Sequence, residues 1–380
     1  MSKTYGVGII GAGNISASYL RLAPMFKGFE IRGVADTLPD AAKKRSREFN
    51  VPAMRPDAML QSAEIDVILN LTIPSAHHAV SRDAISAGKH VYSEKPFVLS
   101  VEEGQALKKA AEERHLFVCS APDTFLGGAH QQVREILDSG QIGKVVSGTT
   151  HTMNRGMEHW HPNPDFFFQV GGGPMLDLGP YYVTALIQLI GPVKRVTAFT
   201  STPRPRRIVT TPNVPMTGKS IEVATPTTIH GVLEFGSGAI VTIGASWDVL
   251  SHGHHNIELY AAEGSVFEPD PNFFGGDIVI ADRSGTRTKV EPWRHPFGKT
   301  NQTDNSGARR ANYRGAGLAD MIAAIERGRA ARCSLDLALH AIDVLSSLLK
   351  AGETGQVLTL ATTCSRPAPL GPVEAEALLK

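Results

Sequence analysis

The stretch Tyr5-Gly6-Val7-Gly8-Ile9-Ile10-Gly11-Ala12-Gly13-Asn14-Ile15-Ser16 decides how the first third of this chain folds. Its apolar run reads as a buried strand, and it ends in glycines before a helical pattern that Pro24 cuts short. Gly11 permits a tight turn and Gly13 lets an anion approach the backbone. The helix that follows offers its N-terminal N–H groups and its dipole to that anion. A plain glycine turn is written with the same letters, so the surroundings must decide between the two. Ser16 stands where the pattern usually has a third glycine, and it is small enough for a close helix–strand contact.

The surroundings favour a nucleotide cradle. Further strands are expected at 30–35, 66–71, 90–93 and 116–120, each separated from the next by a helical pattern. Pro39 and Pro74 suit first helical turns, Gly88 ends a helix, and Ser100 with Glu103 forms a capping box. Strand–helix alternation with short connections implies a parallel, doubly wound sheet of the Rossmann type, whose ligands sit beyond the carboxyl ends of the strands. Gly11, Gly13, Asn14 and Ile15 are expected against a pyrophosphate, and Thr72, Ile73 and Pro74 beside a nicotinamide, with His78 supporting that loop. Asp36 ends the second strand, 23 residues after Gly13. An acid there accepts ribose hydroxyls and repels a 2′-phosphate, which favours NAD over NADP, although NADP stays possible. Lys43, Lys44, Arg45 and Arg47 could reach a phosphate but read better as a solvated helix face.

From about Gly143 the alternation stops. Strands are expected at 145–152, 193–200, 227–235, 239–247, 256–261 and 277–281, with a hairpin turn at 235–239 and helices at 180–190, 316–327 and 336–351. Successive strands imply an α+β domain on a large, mostly antiparallel open sheet with one face free for a ligand or another subunit. The expected division is a dinucleotide-binding domain over 1–122 and a substrate-binding and oligomerisation domain over 123–380. Residues 202–216 read as a loop or flap, and Arg204, Arg206 and Arg207 fit solvated surface as readily as a binding patch.

Composition narrows the field. Net charge is +1, so no strong field argues for nucleic acid or an anionic membrane. No stretch approaches the ~20 apolar residues of a membrane span, and the first residues do not read as a signal peptide. Cys119, Cys333 and Cys364 are widely spaced and read as reduced thiols, which points to a cytoplasmic protein.

Two further motifs carry the chemistry. Glu94-Lys95-Pro96 follows the fourth strand, and Gly171-Gly172-Gly173-Pro174-Met175-Leu176-Asp177-Leu178-Gly179-Pro180-Tyr181-Tyr182 lies far downstream. Together with 138–145 and 338–345 they resemble the Gfo/Idh/MocA oxidoreductases over nearly the whole chain. The resemblance implies that the first domain binds NAD(H) or NADP(H) through residues including Glu94 and Lys95. It implies a second domain that places a sugar, cyclitol or sugar derivative above the nicotinamide, and a Lys95 that binds substrate and assists proton transfer. Many members have a histidine four residues after the position of Asp177; Tyr181 here resembles the glucose–fructose oxidoreductase and dihydrodiol dehydrogenase branch.

Oxidising a secondary alcohol needs a hydride acceptor and a proton acceptor. Tyrosine and lysine have ordinary pKa values near 10 and about 10.4, so each needs a neighbour to act at neutral pH. Tyr181 as acid/base with Lys95 as polariser is one assignment, and the reverse is the other. Asp177 would orient Lys95 and bond a substrate hydroxyl, or merely cap the following helix. Asp123, Trp160, His161 and Asp165 are candidate sugar contacts, the aromatic faces for apolar sugar surface and the polar groups for hydroxyls. His252, His254 and His255 lack a nearby acid or cysteine at zinc spacing, and no metal is expected. Two other functions fit the same residues: a glycosidase that oxidises C3 transiently with tightly held NAD, and a non-enzymatic dinucleotide sensor. The open sheet suggests a homodimer or homotetramer, and no nucleic-acid or membrane partner is expected.

Overall fold

A computed structural model describes residues 3–304 and 307–380. Strand β1 (Tyr5–Ile10) is buried along its whole length, as a central parallel strand covered on both faces must be. Around it β2 (Phe29–Ala35), β3 (Ala53–Met54), β4 (Val67–Asn70), β5 (His90–Ser93) and β6 (Val118–Ser120) form a six-stranded sheet in the order β3-β2-β1-β4-β5-β6. Every pairing is parallel, and the order reverses at β1, which puts the topological switch point directly above the glycine turn. The two-residue β3 was not legible in the sequence, being too short to show a period.

The second domain is built on β7 (Val145–Met153), β8 (Val193–Ser201), a small ribbon of β9 (Arg206–Ile208) and β10 (Ser220–Glu222), β11 (Thr228–Phe235), β12 (Ile240–Ser246), β13 (Ile257–Ala261), β14 (Gly264–Glu268), β15 (Val279–Ala281) and β16 (Arg287–Lys289). A second ribbon, β17 (Gln302–Thr303) with β18 (Arg309–Arg310), precedes the final strand β19 (Leu358–Thr359). Nine of these make one sheet, β16-β15-β14-β13-β7-β12-β11-β8-β19, antiparallel except for the β12–β7 pair. One face is covered by the helices Gly179–Ile190 and Leu335–Thr354, which bury Ile229, Leu233, Val241 and Ile243. The other face is open, and Phe199 and Ile240 stand exposed on it.

One buried apolar cluster runs from Val7 and Ile9 of the first sheet to Leu345 and Leu348 of the second domain, so the two halves share a core. The chain also returns to the first domain late: Ser334 bridges Cys119 at the edge of β6, and Leu379 bridges Phe26. Among the described residues no helix is long and apolar enough to cross a membrane.

Candidate active site

At the carboxyl end of β1, Gly11 turns the chain with φ +108°, and a Cβ there would strike the Leu71 carbonyl at 2.4 Å. Gly13 caps the helix Asn14–Leu22 with no side chain bonding its first-turn N–H groups, and a Cβ on Gly13 would meet nothing within 4 Å. Free donors at a helix start, facing open space that only a glycine leaves, fit a dinucleotide pyrophosphate. Ser16 is fully buried and donates to the Gly13 carbonyl at 2.6 Å. Asp36 is fixed at the end of β2 by the N–H groups of Ala12 at 2.7 Å and Leu38 at 2.8 Å, where a ribose would lie.

The expected solvated helix face holds for Lys43, Lys44 and Arg47 but not for Arg45. Arg45 folds back onto the glycine turn, reaching Ser16 Oγ at 3.1 Å and the Gly13 carbonyl at 3.1 Å. Its long stem lets the guanidinium cross to the neighbouring helix, which periodicity does not reveal.

Thr72, Ile73 and Pro74 follow β4 as expected. Asn70 Oδ1 accepts from Thr72 Oγ1 at 2.7 Å, and His77 bridges the Thr72 carbonyl (3.0 Å) to the Pro96 carbonyl (2.6 Å). His77, 1% exposed, is therefore the loop support, whereas His78 is only half-buried on the outer side of the same helix. Burial pulls the His77 imidazole below the ordinary histidine range, against the pull of the two carbonyls.

Glu94 is held between the Tyr19 hydroxyl, which donates to Oε1 at 2.9 Å, and the Lys95 N–H, which donates to Oε2 at 3.0 Å. The Lys95–Pro96 bond is cis. Lys95 Nζ donates to the Asp177 carbonyl at 2.6 Å and to Asp177 Oδ1 at 2.8 Å, and it lies over the Tyr181 ring, 5.1 Å from the centroid. Burial alone would lower this ammonium, but the charges of Asp177 and Glu94 and the hydrogen bond to Asp177 hold it above the ordinary lysine range.

Lys95, Asp177 and Tyr181 thus meet in one interdomain cleft of about 320 Å³, walled by Ile15 and Ile73 on one side and by Phe166, Phe167 and Gln169 to Gly172 on the other. Asp177 and Tyr181 come together because the short helix Gly173–Asp177 runs into Gly179–Ile190 at Leu178. The glycine run borders this cleft, and protein also packs closely on it. Cβ atoms on Gly171 and Gly172 would press on Leu99 at 3.1 Å and the Phe167 carbonyl at 2.3 Å. Gly171 and Gly173 also take φ +87° and +83°, which side chains rarely adopt.

A second cavity of about 300 Å³ lies behind Leu178 and Tyr182, lined by Asn154, Asn256, Asp270 and Asn272 with Trp160 on its rim. Tyr182 spans it, accepting from Asn256 Nδ2 at 2.8 Å and donating to Asp270 Oδ1 at 3.3 Å. Trp160 is 60% exposed and meets His161 edge-on at 5.3 Å. His161 in turn contacts Phe167 at 4.9 Å, so these aromatics join the two cavity mouths. Asp165 opens the turn Asp165–Phe168 and stays outside both cavities.

Asp123, expected as a sugar contact, lines neither cavity. It is 1% exposed, and its Oδ2 accepts from the N–H groups of Gly315 (2.9 Å) and Gly317 (3.1 Å), fastening the start of the helix Ala316–Arg327. Burial lifts its carboxyl to about 6, against those N–H groups and Arg314. The late return of the chain covers this strand end, which the local sequence cannot announce.

One arginine was missed and another was misread. Arg314 donates to the Tyr181 hydroxyl at 3.2 Å and to Asn272 Oδ1 at 3.2 Å. Arg207 is neither solvated nor part of a patch: it is 2% exposed and binds Glu158 at 2.8 Å and Asp248 at 2.7 Å, pinning the flap over Trp247. Neither arginine lies in a motif, and the partners of Arg314 are 133 and 42 residues away.

Residues 5–121 match the model of an oxidoreductase family with an NAD-binding Rossmann fold, and residues 130–267 match the GFO/IDH/MocA C-terminal domain. The chain is 25% identical over 333 residues to levoglucosan dehydrogenase of Pseudarthrobacter phenanthrenivorans, covering 78% of this chain and 83% of that protein. It is 25% identical over 263 residues to scyllo-inositol 2-dehydrogenase (NAD(+)) of Bacillus subtilis, covering 68% and 72%. Several other curated relatives are matched over only 39% to 64% of their length. A solved structure of levoglucosan dehydrogenase with NADH superimposes with a TM-score of 0.79 at 20% identity, over 95% of this chain and 100% of that one.

Proposed function

The chain belongs to the GFO/IDH/MocA oxidoreductase family, and from that premise we propose that it is an NAD-dependent dehydrogenase acting on a CH–OH group of a sugar, cyclitol or sugar derivative. The observation that carries this reading is the meeting of Lys95, Asp177 and Tyr181 in a cleft bordered by Ile15 and Ile73 of the dinucleotide-binding domain. NAD bound along Gly13, Asp36 and Thr72 to Pro74 would supply hydride exchange at the nicotinamide.

The chain's own groups then divide the remaining work. Lys95 is held as a cation by Asp177, which supports the role of polariser and argues against that of base. Tyr181 is left as the acid/base: its oxyanion receives the hydroxyl proton during oxidation, and its hydroxyl returns a proton to the carbonyl oxygen during reduction. Asp177 fixes Lys95 through two bonds to one ammonium, leaving the third N–H for the substrate oxygen. Asn154, Asn256 and Asp270 offer planar polar groups to sugar hydroxyls, and Trp160 an aromatic face. Asp36 supports NAD over NADP by charge. The names of the relatives, dehydrogenases of levoglucosan and scyllo-inositol, support the carbohydrate class. The exposed face carrying Phe199 and Ile240 supports assembly of copies through the nine-stranded sheet.

Absorbance at 340 nm with NAD or NADP against sugars, cyclitols and glycosides tests the reading, with Lys95→Ala beside the wild type. NAD reduction by one substrate class, lost in the variant, is the expected result. Release of free sugar from a glycoside without net change at 340 nm would replace it with the redox-assisted glycosidase.

A further inference from the structure

We infer that Arg314 is a positioning residue for the Tyr181 hydroxyl, occupying one lone pair of that oxygen so that its proton is aimed into the cleft. The inference rests on the acid/base role proposed for Tyr181. A guanidinium carries N–H donors and no acceptor. The 3.2 Å contact therefore makes the phenolic oxygen the acceptor, and the single phenolic hydrogen has to point elsewhere. Among the described residues Arg314 is the one hydrogen-bond partner of that hydroxyl; Lys95 Nζ lies over the ring rather than on the oxygen.

The mount is stiff. Asn272 Oδ1 takes a second bond from the same guanidinium nitrogen at 3.2 Å, and the Arg314 N–H donates to Asn312 Oδ1 at 3.2 Å. The next residue, Gly315, is clamped by Asp123 and has φ +108°, open to glycine at low cost. The position of the guanidinium is set by backbone that closes against the first domain, so the acid/base group on the second domain is registered to the cofactor side.

The same contact serves the charged state. When the hydroxyl proton has passed to the substrate carbonyl, the oxyanion left on Tyr181 has the guanidinium at hydrogen-bond distance and the Lys95 ammonium across the ring. In the oxidative direction the substrate hydroxyl proton would move to that oxyanion, with a bound NAD supplying the acceptor for the hydride that carbon gives up. Removing one preorganised donor to a developing oxyanion costs on the order of 10²–10³ in rate.

The test uses the full chain with NAD and an alcohol that the wild type oxidises, comparing Arg314→Met, Arg314→Lys and Lys95→Ala. Arg314→Met is expected to lower kcat by roughly 10²-fold or more, with KM little changed. NADH affinity by protein fluorescence and the thermal midpoint should stay near the wild-type values. Arg314→Lys, which keeps a donor cation, should fall between, and millimolar guanidinium should restore part of the activity of Arg314→Met but none to Lys95→Ala. A kcat for Arg314→Met within a few-fold of wild type, while Lys95→Ala is dead, overturns the inference and leaves the dehydrogenase intact. So does a loss that tracks a fall in NADH affinity or melting temperature and resists guanidinium. A wild type silent on every alcohol overturns the functional reading and this inference with it.

Discussion

Replacing Asp123 with asparagine separates a structural acid from a substrate-binding one. The wild-type carboxyl is 1% exposed, and a single oxygen accepts both the Gly315 and Gly317 N–H groups. An amide oxygen in the same place can accept both, so the D123N variant keeps the clamp and loses only the titration. Burial raises the carboxyl from 3.8 to about 6 in the folded chain. The sign follows from which state holds the proton. Below about pH 4 both states are protonated and the folded-state advantage is complete; it is lost as pH rises through 6. A rise of that size corresponds to roughly 3 kcal/mol. The amide has no such dependence, so the variant should gain roughly 3 kcal/mol relative to wild type between about pH 4 and 7. Urea unfolding followed by the fluorescence of Trp160, Trp247 and Trp293 reads this gap directly. A gap that is flat in pH refutes the burial argument. Turnover lost in a folded D123N protein would return Asp123 to the substrate.

Gly13→Ala should fold as well as wild type, since φ is −69° and its methyl meets no atom within 4 Å. The methyl would stand in the cradle, so NADH affinity by fluorescence titration should fall by about tenfold or more, equivalent to roughly 1.4 kcal/mol; unchanged affinity would move the pyrophosphate elsewhere. Arg207→Met leaves Glu158 buried without its cation and should cost about 3–5 kcal/mol in urea, whereas a loss under about 1 kcal/mol would show that water screens the pair. His151 is pushed down to about 4 by burial and by the neighbouring imidazoles of His254, His230 and His252. The folded chain resists the proton that the unfolded one accepts, so wild type should lose stability relative to His151→Gln as pH falls from about 6.5 to 4. With screening by nearby solvent allowed for, the loss should come to about 1–2 kcal/mol. Parallel pH profiles of the two proteins would contradict this.

What the sequence discloses follows from how local each cause is. The turn at Gly11 and Gly13, the strand end at Asp36 and the loop at Thr72 are consequences of alternation and glycine placement within a few dozen residues, and they were legible. Asp177 and Tyr181 share a wall because they are four residues apart across a helix junction, which spacing also reveals. Asp123 misled because it occupies a strand end like the others, and only a segment some 190 residues later covers it. Arg207 and Arg314 look like solvated arginines until their carboxylate, amide and phenol partners arrive from elsewhere in the chain. His77 and His78 are adjacent, and only the helix rotation decides which one turns inward.

The late return of the chain to the first domain has a bearing on engineering. Ser120 donates its N–H to the Cys333 carbonyl, Lys27 to that of Leu378, and Lys380 to that of Met25. The first domain is thus completed by residues encoded at the far end of the chain. A chimera that grafts residues 1–122 of a relative onto the remainder of this protein would carry mismatched seams at both edges. Such a graft should melt in two steps where the parent melts in one, and recombination between relatives succeeds only if the returning segments travel with the domain they finish.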